Sequence, residues 1–89
     1  MALVITPSYL YDTQTYVGVP LRRAKLVVAG LSPGQINNVP HGLPNTPLAV
    51  ALEPTSNNNF WESAAADASN IYVGVGSGAG TSTVIYMTY

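Results

Sequence analysis

The chain has 89 residues, enough for one small domain, and only 8% of them are charged while 47% are hydrophobic. Disorder requires low hydrophobicity and high charge, so this composition excludes it, and no apolar run approaches the roughly 20 residues of a membrane-spanning helix. The chain has no cysteine, which excludes disulfides and thiolate metal sites. Its first residues lack the basic segment of a signal peptide, so we expect synthesis in a cytoplasm.

Residues 1–20 favour extended backbone, because tyrosine, threonine and valine recur in them. Leu3–Ile5 predicts a short strand that ends at Pro7. Tyr9 and Tyr11 share one parity and would project to the same side of a strand. Two interpretations stay open for this segment: an arm or edge strand that reaches onto a neighbouring molecule, and an ordinary first strand of the domain.

The middle of the chain, residues 30–54, contains five of the seven prolines and the single histidine. Proline removes a backbone donor and disfavours helix in the residue before it, so this stretch must consist of extended pieces joined by turns. Two runs, Leu26–Leu31 and Leu48–Leu52, are apolar at both their odd and their even positions, which face opposite sides of a strand. They therefore predict strands that are covered on both faces. Between them, Ser32–Gly34 predicts a turn and Gln35–Val39 a half-exposed strand.

Three further strands are predicted in the C-terminal part. Phe60–Ser63 carries the only tryptophan, Trp61, as an anchor for the core or for an interface. Asn70–Val75 and Thr81–Tyr89 flank the glycine-rich segment 76–80, which predicts a long hairpin with a flexible tip. We expect six to eight strands in all. The predicted fold is all-β: a small antiparallel β-sandwich or jelly-roll-like domain over residues 21–89, with an extended N-terminal arm over residues 1–20.

All the basic residues of the chain lie within four positions, as Arg22, Arg23 and Lys25. A local basic cluster can meet nucleic acid or an acidic partner. Three positive charges in a chain of net charge -1 are fewer than a nucleic-acid-binding surface normally carries, so we expect no nucleic-acid partner. The alternative is that the cluster is solvated or forms salt bridges between subunits.

His41 is the one candidate for acid–base chemistry, but catalysis or metal binding by histidine requires partner groups. The chain has no second histidine and no cysteine. We therefore expect His41 to hold its loop by hydrogen bonds to backbone groups, and we expect no catalytic residue, metal or cofactor. The glycine-rich segment matches no phosphate-binding pattern and precedes a strand rather than a helix.

Three motifs, at Gly30–Gly34, Asn37–Pro47 and Asp67–Val73, follow one another in the chain. They resemble a β module of tailed-phage virion proteins in which "G-L-x-x-G … N-x-V-x-H-G-L … T-P" precedes an apolar strand, "A-x-N-I-Y-V" and a glycine-rich segment. The resemblance spans roughly residues 26–89. It implies a non-enzymatic structural protein of a phage particle.

From this resemblance and the low charge we expect a capsid decoration or cement protein located in the virion. Its partner would be the major capsid protein or another virion protein, with further copies of itself, most simply as a trimer, and no membrane. The alternative is a receptor- or glycan-binding module of a tail or head fibre, because aromatic rings can stack on sugars. The low charge also fits a surface solvated by uncharged polar groups. The residues expected at contacts, chosen by type, are Tyr9, Tyr11, Tyr16, Trp61 and Tyr89, with Arg22 and Arg23 at the polar rim.

Overall fold

A computed structural model describes residues 3–8, 14–16 and 19–89, and none of these residues is helical. Nine strands lie in this part of the chain, one more than the upper limit predicted. They are β1 (Val4–Ser8), β2 (Gln14–Tyr16), β3 (Val19–Leu21), β4 (Arg23–Ala29), β5 (Ile36–Pro40), β6 (Ala49–Pro54), β7 (Phe60–Ala64), β8 (Asn70–Val75) and β9 (Thr83–Thr88).

Two antiparallel sheets enclose one core. The larger has the order β1-β4-β9-β6 and the smaller has the order β5-β8-β7, while β2 and β3 form a separate pair. Between the larger and the smaller sheet the chain crosses after β4, β5, β6 and β8, so neighbours in sequence are seldom neighbours in a sheet. The predicted all-β, sandwich-like fold is confirmed.

The core lies between the inner faces of the two sheets, where strand alternation directs every second side chain. In β4 the burial alternates, with Ala24, Leu26 and Val28 at most 1% exposed. From the same sheet β9 contributes Ile85 and Met87, and from the opposite sheet come the buried residues Val39, Ile71, Val73 and Val75. Leu31 and Leu43 close the core from the loops.

The first strand runs through Pro7 to Ser8, so the expected stop at Pro7 is wrong. Pro7 pairs in register with Leu26, and β1 is the outer strand of its sheet. An edge position tolerates proline because its missing N–H is not needed by a further strand. Residues 4–8 are thus the first strand of the domain and lie at the edge of a sheet, while Tyr9 and Tyr11 lie outside the described residues.

Within the described residues, the two strongly apolar strands are covered on their inner faces only, so this part of the chain does not itself supply the predicted cover on the outer faces. Val27 of β4 is 40% exposed, and Leu48, just before β6, is 70% exposed. A two-layer sandwich covers only the inner face of each sheet, whereas two-sided burial requires a further layer. The outer face of the larger sheet therefore carries apolar side chains in contact with solvent.

The predicted hairpin of the last two strands is also wrong. β8 lies between β5 and β7, and β9 lies between β4 and β6 in the other sheet. Each is a central strand whose two edges are already occupied, so neither can pair with the other. The glycine-rich segment between them is a crossover from one sheet to the other.

Candidate binding surfaces

The residues predicted at contacts fall into two groups. Arg22, Arg23 and Tyr89 lie together at one end of the larger sheet, where the backbones of Arg22 and Tyr89 exchange hydrogen bonds of 2.9 and 2.8 Å. Tyr89 is half-buried, because it packs against the core, and is not fully exposed to solvent. Trp61 lies on the smaller sheet. Of the other predicted contact residues, Tyr16 is located only by its backbone pairing with Val19, and Tyr9 and Tyr11 are outside the described residues.

The outer face of the larger sheet contains a shallow depression of about 350 Å³. Ala49 and Ala51 of β6 are exposed and line it together with Thr88 of β9, while Arg23 and Tyr86 also border it. The depression exists because β6 presents two alanines beside larger neighbours. Its lining is mostly apolar.

A row of charged and aromatic groups crosses this face beside the depression. The Lys25 Nζ lies 5.9 Å from the centroid of the Tyr86 ring, within the range of a cation–π contact. Glu53 belongs to β6, the strand on the other side of β9, and hydrogen bonding to its carboxylate raises the pKa of the Tyr86 hydroxyl because it favours the protonated form. Tyr86 therefore interacts with a cation from β4 and an anion from β6.

The outer face of the smaller sheet carries an aromatic surface around Gly74. Ile36 of β5 and Trp61 of β7 are the two cross-strand partners of Gly74, and they are 63% and 48% exposed. The indole covers the glycine so closely that a Cβ at position 74 would lie 2.1 Å from the Trp61 Cε2. Trp61 is thus a surface anchor rather than a core residue, and Gly74 is what lets it lie against the sheet.

Tyr72, two residues before Gly74 in β8, continues this surface. Its hydroxyl donates a hydrogen bond to Asp67 Oδ2, and this contact is the main reason that the pKa of Asp67 lies below its ordinary value of 3.8. The Asp67 Oδ1 also accepts from the backbone N–H groups of Ser69 and Asn70, at 2.9 and 2.7 Å. The hydrogen bond between Tyr72 and Asp67 also raises the pKa of the Tyr72 hydroxyl. A carboxylate that accepts three hydrogen bonds is held in its charged form.

His41 joins two of the three motifs. It is 1% exposed, its Nδ1 accepts from the Leu43 N–H at 2.9 Å, and its Nε2 lies 2.9 Å from the Asp67 carbonyl oxygen. Because Nδ1 accepts and a carbonyl can only accept, the ring is neutral with its proton on Nε2. The expected hydrogen bonding of His41 to backbone groups is confirmed, and it ties the loop after β5 to the turn before β8.

Asn58 organises the glycine-rich crossover. Its Nδ2 donates to the carbonyl oxygens of Gly76, Gly78 and Gly80, at 2.9, 3.2 and 2.9 Å. A Cβ at Gly76 would lie 2.4 Å from the Asn58 Oδ1. Glycine is therefore required at position 76 by Asn58, and at position 80 a Cβ would lie 2.6 Å from the Ser56 Oγ. The segment is a bound crossover rather than a hairpin tip.

Sequence reasoning missed the contribution of Gly74, Asp67, Tyr72 and Asn58. A glycine inside an otherwise β-branched and aromatic strand was an available signal, because it marks a close approach by another group. The aspartate three residues before Asn70 was another, since such side chains often bind nearby backbone N–H groups. No sequence signal identified Asn58 as the partner of the glycines.

Comparisons with known proteins give no further guidance: no protein-family model, no curated protein and no solved structure matches the chain. Among the described residues, no group of three or more histidine, cysteine, aspartate or glutamate side chains could hold a metal ion. The same part of the chain has no helix long and apolar enough to cross a bilayer.

Proposed function

We propose that the chain is a structural protein of a phage particle, a decoration or cement protein that binds the major capsid protein or another virion protein. It acts without catalysis, assembles with further copies of itself, most simply as a trimer, and is located in the virion after synthesis in the host cytoplasm. The resemblance of its three motifs to virion β modules supports this proposal. His41 and Asp67, one from each of two of those motifs, are hydrogen-bonded to each other.

The observation that carries the proposal is the set of apolar side chains exposed on the outer face of the larger sheet, beside the row formed by Lys25, Tyr86 and Glu53. Val4 is 56% exposed, Val27 is 40% exposed, and both Ala49 and Ala51 are exposed. Small and β-branched side chains on a twisted sheet make a smooth surface that a second sheet or a capsid subunit can approach closely. Covering this face would supply the missing third layer and contribute roughly 25 cal/mol per Å² of apolar area before association costs are subtracted.

The experiment is to add one charge to this face without disturbing the core. In the Val27→Lys and Ala51→Lys variants we expect folding to be retained, because both positions are exposed. Self-association, measured by light scattering against the 9.3 kDa monomer, and co-sedimentation with capsids stripped of minor proteins should both be lost. Asn57→Lys, on an exposed loop, is the matched control and should change neither. An unmodified chain that stays monomeric and does not sediment with capsids would refute the proposal.

A second candidate function is a receptor-binding module of a tail or head fibre. It is favoured by one observation: Trp61, the largest apolar side chain of the protein, is half exposed and lies against a glycine. Exposed tryptophans on a rigid sheet are typical of contact residues. Binding to host-cell envelopes that disappears in Trp61→Ala, with capsid binding unchanged, would support this role.

A further inference from the structure

We propose that the outer face of the smaller sheet is a carbohydrate site, where Trp61 stacks on the apolar face of a neutral pyranose sugar. The inference rests on the second candidate function and names its ligand class. It concerns the sheet opposite the one proposed to contact the capsid, so the two can be tested separately.

The first step of the argument is the orientation of the indole. A side chain at position 74 would collide with it, at 2.1 Å from Cε2, 2.3 Å from Nε1 and 2.5 Å from Cζ2. A glycine inside a central strand costs stability, because it adds flexibility to the unfolded chain and packs no side chain. Here it allows Trp61 to lie down on the sheet while 48% of its surface remains exposed. The ring is therefore held in place before any ligand arrives.

The second step is the chemistry of the surroundings. One face of a pyranose ring presents C–H groups, which pack favourably on the electron-rich face of an aromatic ring. Its hydroxyl groups need hydrogen-bonding partners around that contact. Asn38 is the cross-strand partner of Tyr72; its side chain is exposed and makes no hydrogen bond in the described part of the chain. The indole of Trp61 and the unused amide of Asn38 lie on the same face of the sheet, on either side of β8, and together they match these two requirements.

The third step is size. Adjacent strands are about 4.8 Å apart, so Ile36 and Trp61, on either side of β8, span a shelf about 10 Å wide. Tyr72 and Gly74 lie about 7 Å apart along β8. A shelf of these dimensions accommodates one or two sugar rings. It is small compared with the roughly 800 Å² per partner of a standard protein–protein interface.

The fourth step is charge. All three basic residues of the protein, Arg22, Arg23 and Lys25, lie at β4 or directly before it, in or beside the other sheet. The carboxylate shown beside this face is that of Asp67, which accepts the hydrogen bond of Tyr72. An anionic sugar would meet this carboxylate with no compensating cation here, which disfavours its binding. The expected ligand is therefore a neutral hexose or N-acetylhexosamine.

The test uses the fact that Trp61 is the only tryptophan, so its fluorescence reports on this site alone. The folded chain is titrated with lactose, maltose and N,N′-diacetylchitobiose, and with sialyllactose as the acidic sugar, each up to about 10 mM. A saturable change in emission is expected with at least one neutral sugar and none with sialyllactose. A glycan array extends the neutral panel.

Two variants connect binding to the geometry. Trp61→Ala should abolish binding on the array, and Gly74→Ala should weaken it about tenfold or more by displacing the indole. If Gly74→Ala does not fold, Asn38→Ala replaces it, because Asn38 is exposed and its loss should weaken binding without unfolding the chain. Val27→Lys, on the other sheet, is the matched control and should bind sugar normally. Circular dichroism checks folding.

The proposal is overturned if no neutral sugar changes the emission and the array is blank, if binding survives in Trp61→Ala, or if the acidic sugar binds better. Capsid co-sedimentation of Trp61→Ala separates the two proposals. Retained capsid binding without sugar binding leaves the decoration role intact, whereas sugar binding without capsid binding supports the fibre role instead.

Discussion

Replacing His41 with alanine tests whether this side chain holds the fold together. The change deletes the acceptor of the Leu43 N–H and the donor to the Asp67 carbonyl. The first of these hydrogen bonds is buried and the second is partly buried. Neither group has another hydrogen-bonding partner in the described chain, so both would lose their partner inside the protein.

The cost follows from the two orphaned groups. A buried donor or acceptor left without a partner costs about 1–3 kcal/mol, so His41→Ala should lower the free energy of unfolding by about 2–5 kcal/mol. A chain of this length has a total stability of about 4–13 kcal/mol. Each kcal/mol corresponds to a Tm shift of about 4–8 °C at this size, which predicts a fall of about 8–40 °C.

The assay is thermal unfolding followed by circular dichroism, with two partial-rescue variants as controls. His41→Asn places an amide oxygen near the former Nδ1, where it can accept from the Leu43 N–H, and His41→Gln places an amide nitrogen near the former Nε2. We expect both variants to have a higher Tm than His41→Ala. We expect His41→Asn to have a higher Tm than His41→Gln, because asparagine accepts from the Leu43 N–H, which is the more buried of the two groups. An alanine variant within about 2 °C of the unmodified protein would refute the reasoning, and glutamine above asparagine would refute the ranking.

Two further predictions concern the other polar clusters. Asn58→Ala should lower the free energy of unfolding by about 1–3 kcal/mol, because the carbonyls of Gly78 and Gly80 lose their donor while that of Gly76 keeps the Gly34 N–H. In urea unfolding, the exposed neighbour Asn57→Ala should stay within about 0.5 kcal/mol, and equal effects would contradict the assignment. The pKa of Asp67 is lowered in the folded state, so its stabilising effect is present above the ordinary value of 3.8 and is lost as pH falls below it. Asp67→Asn, and to a smaller degree Tyr72→Phe, should therefore flatten the decline of Tm below about pH 4, and an unchanged decline would show that the carboxylate contributes nothing.

Local sequence patterns were sufficient to predict where most strands lie. The alternation in β5, the apolar runs in β4 and β6 and the aromatic strand β7 all correspond to strands. Strand pairing was not predictable in the same way. The segments around Gly76–Gly80 look like a hairpin because the spacing is short, but pairing depends on which edges the earlier strands have occupied, and that is a property of the whole sheet.

The candidate surfaces were predictable only in part. Trp61 was identified by residue type as an anchor, and its exposure is consistent with a contact role. Its position depends on Gly74, which lies 13 residues away in sequence and directly opposite in the sheet. Arg22 and Tyr89 are joined by backbone hydrogen bonds that no local pattern indicates. Contacts between distant segments require the register of the sheet, which the sequence does not display.

The position of β9 has a consequence for how the protein is made. This strand is hydrogen-bonded to both β4 and β6, yet it consists of residues 83–88 and is the last of the described strands to be synthesised. On the ribosome, β4 and β6 must wait with unpaired backbone groups until residues 83–88 have left the exit tunnel. β1 and β4 can pair earlier, but the four-stranded sheet is completed only after this segment has been translated. Until then, the same apolar strands are exposed to neighbouring nascent chains.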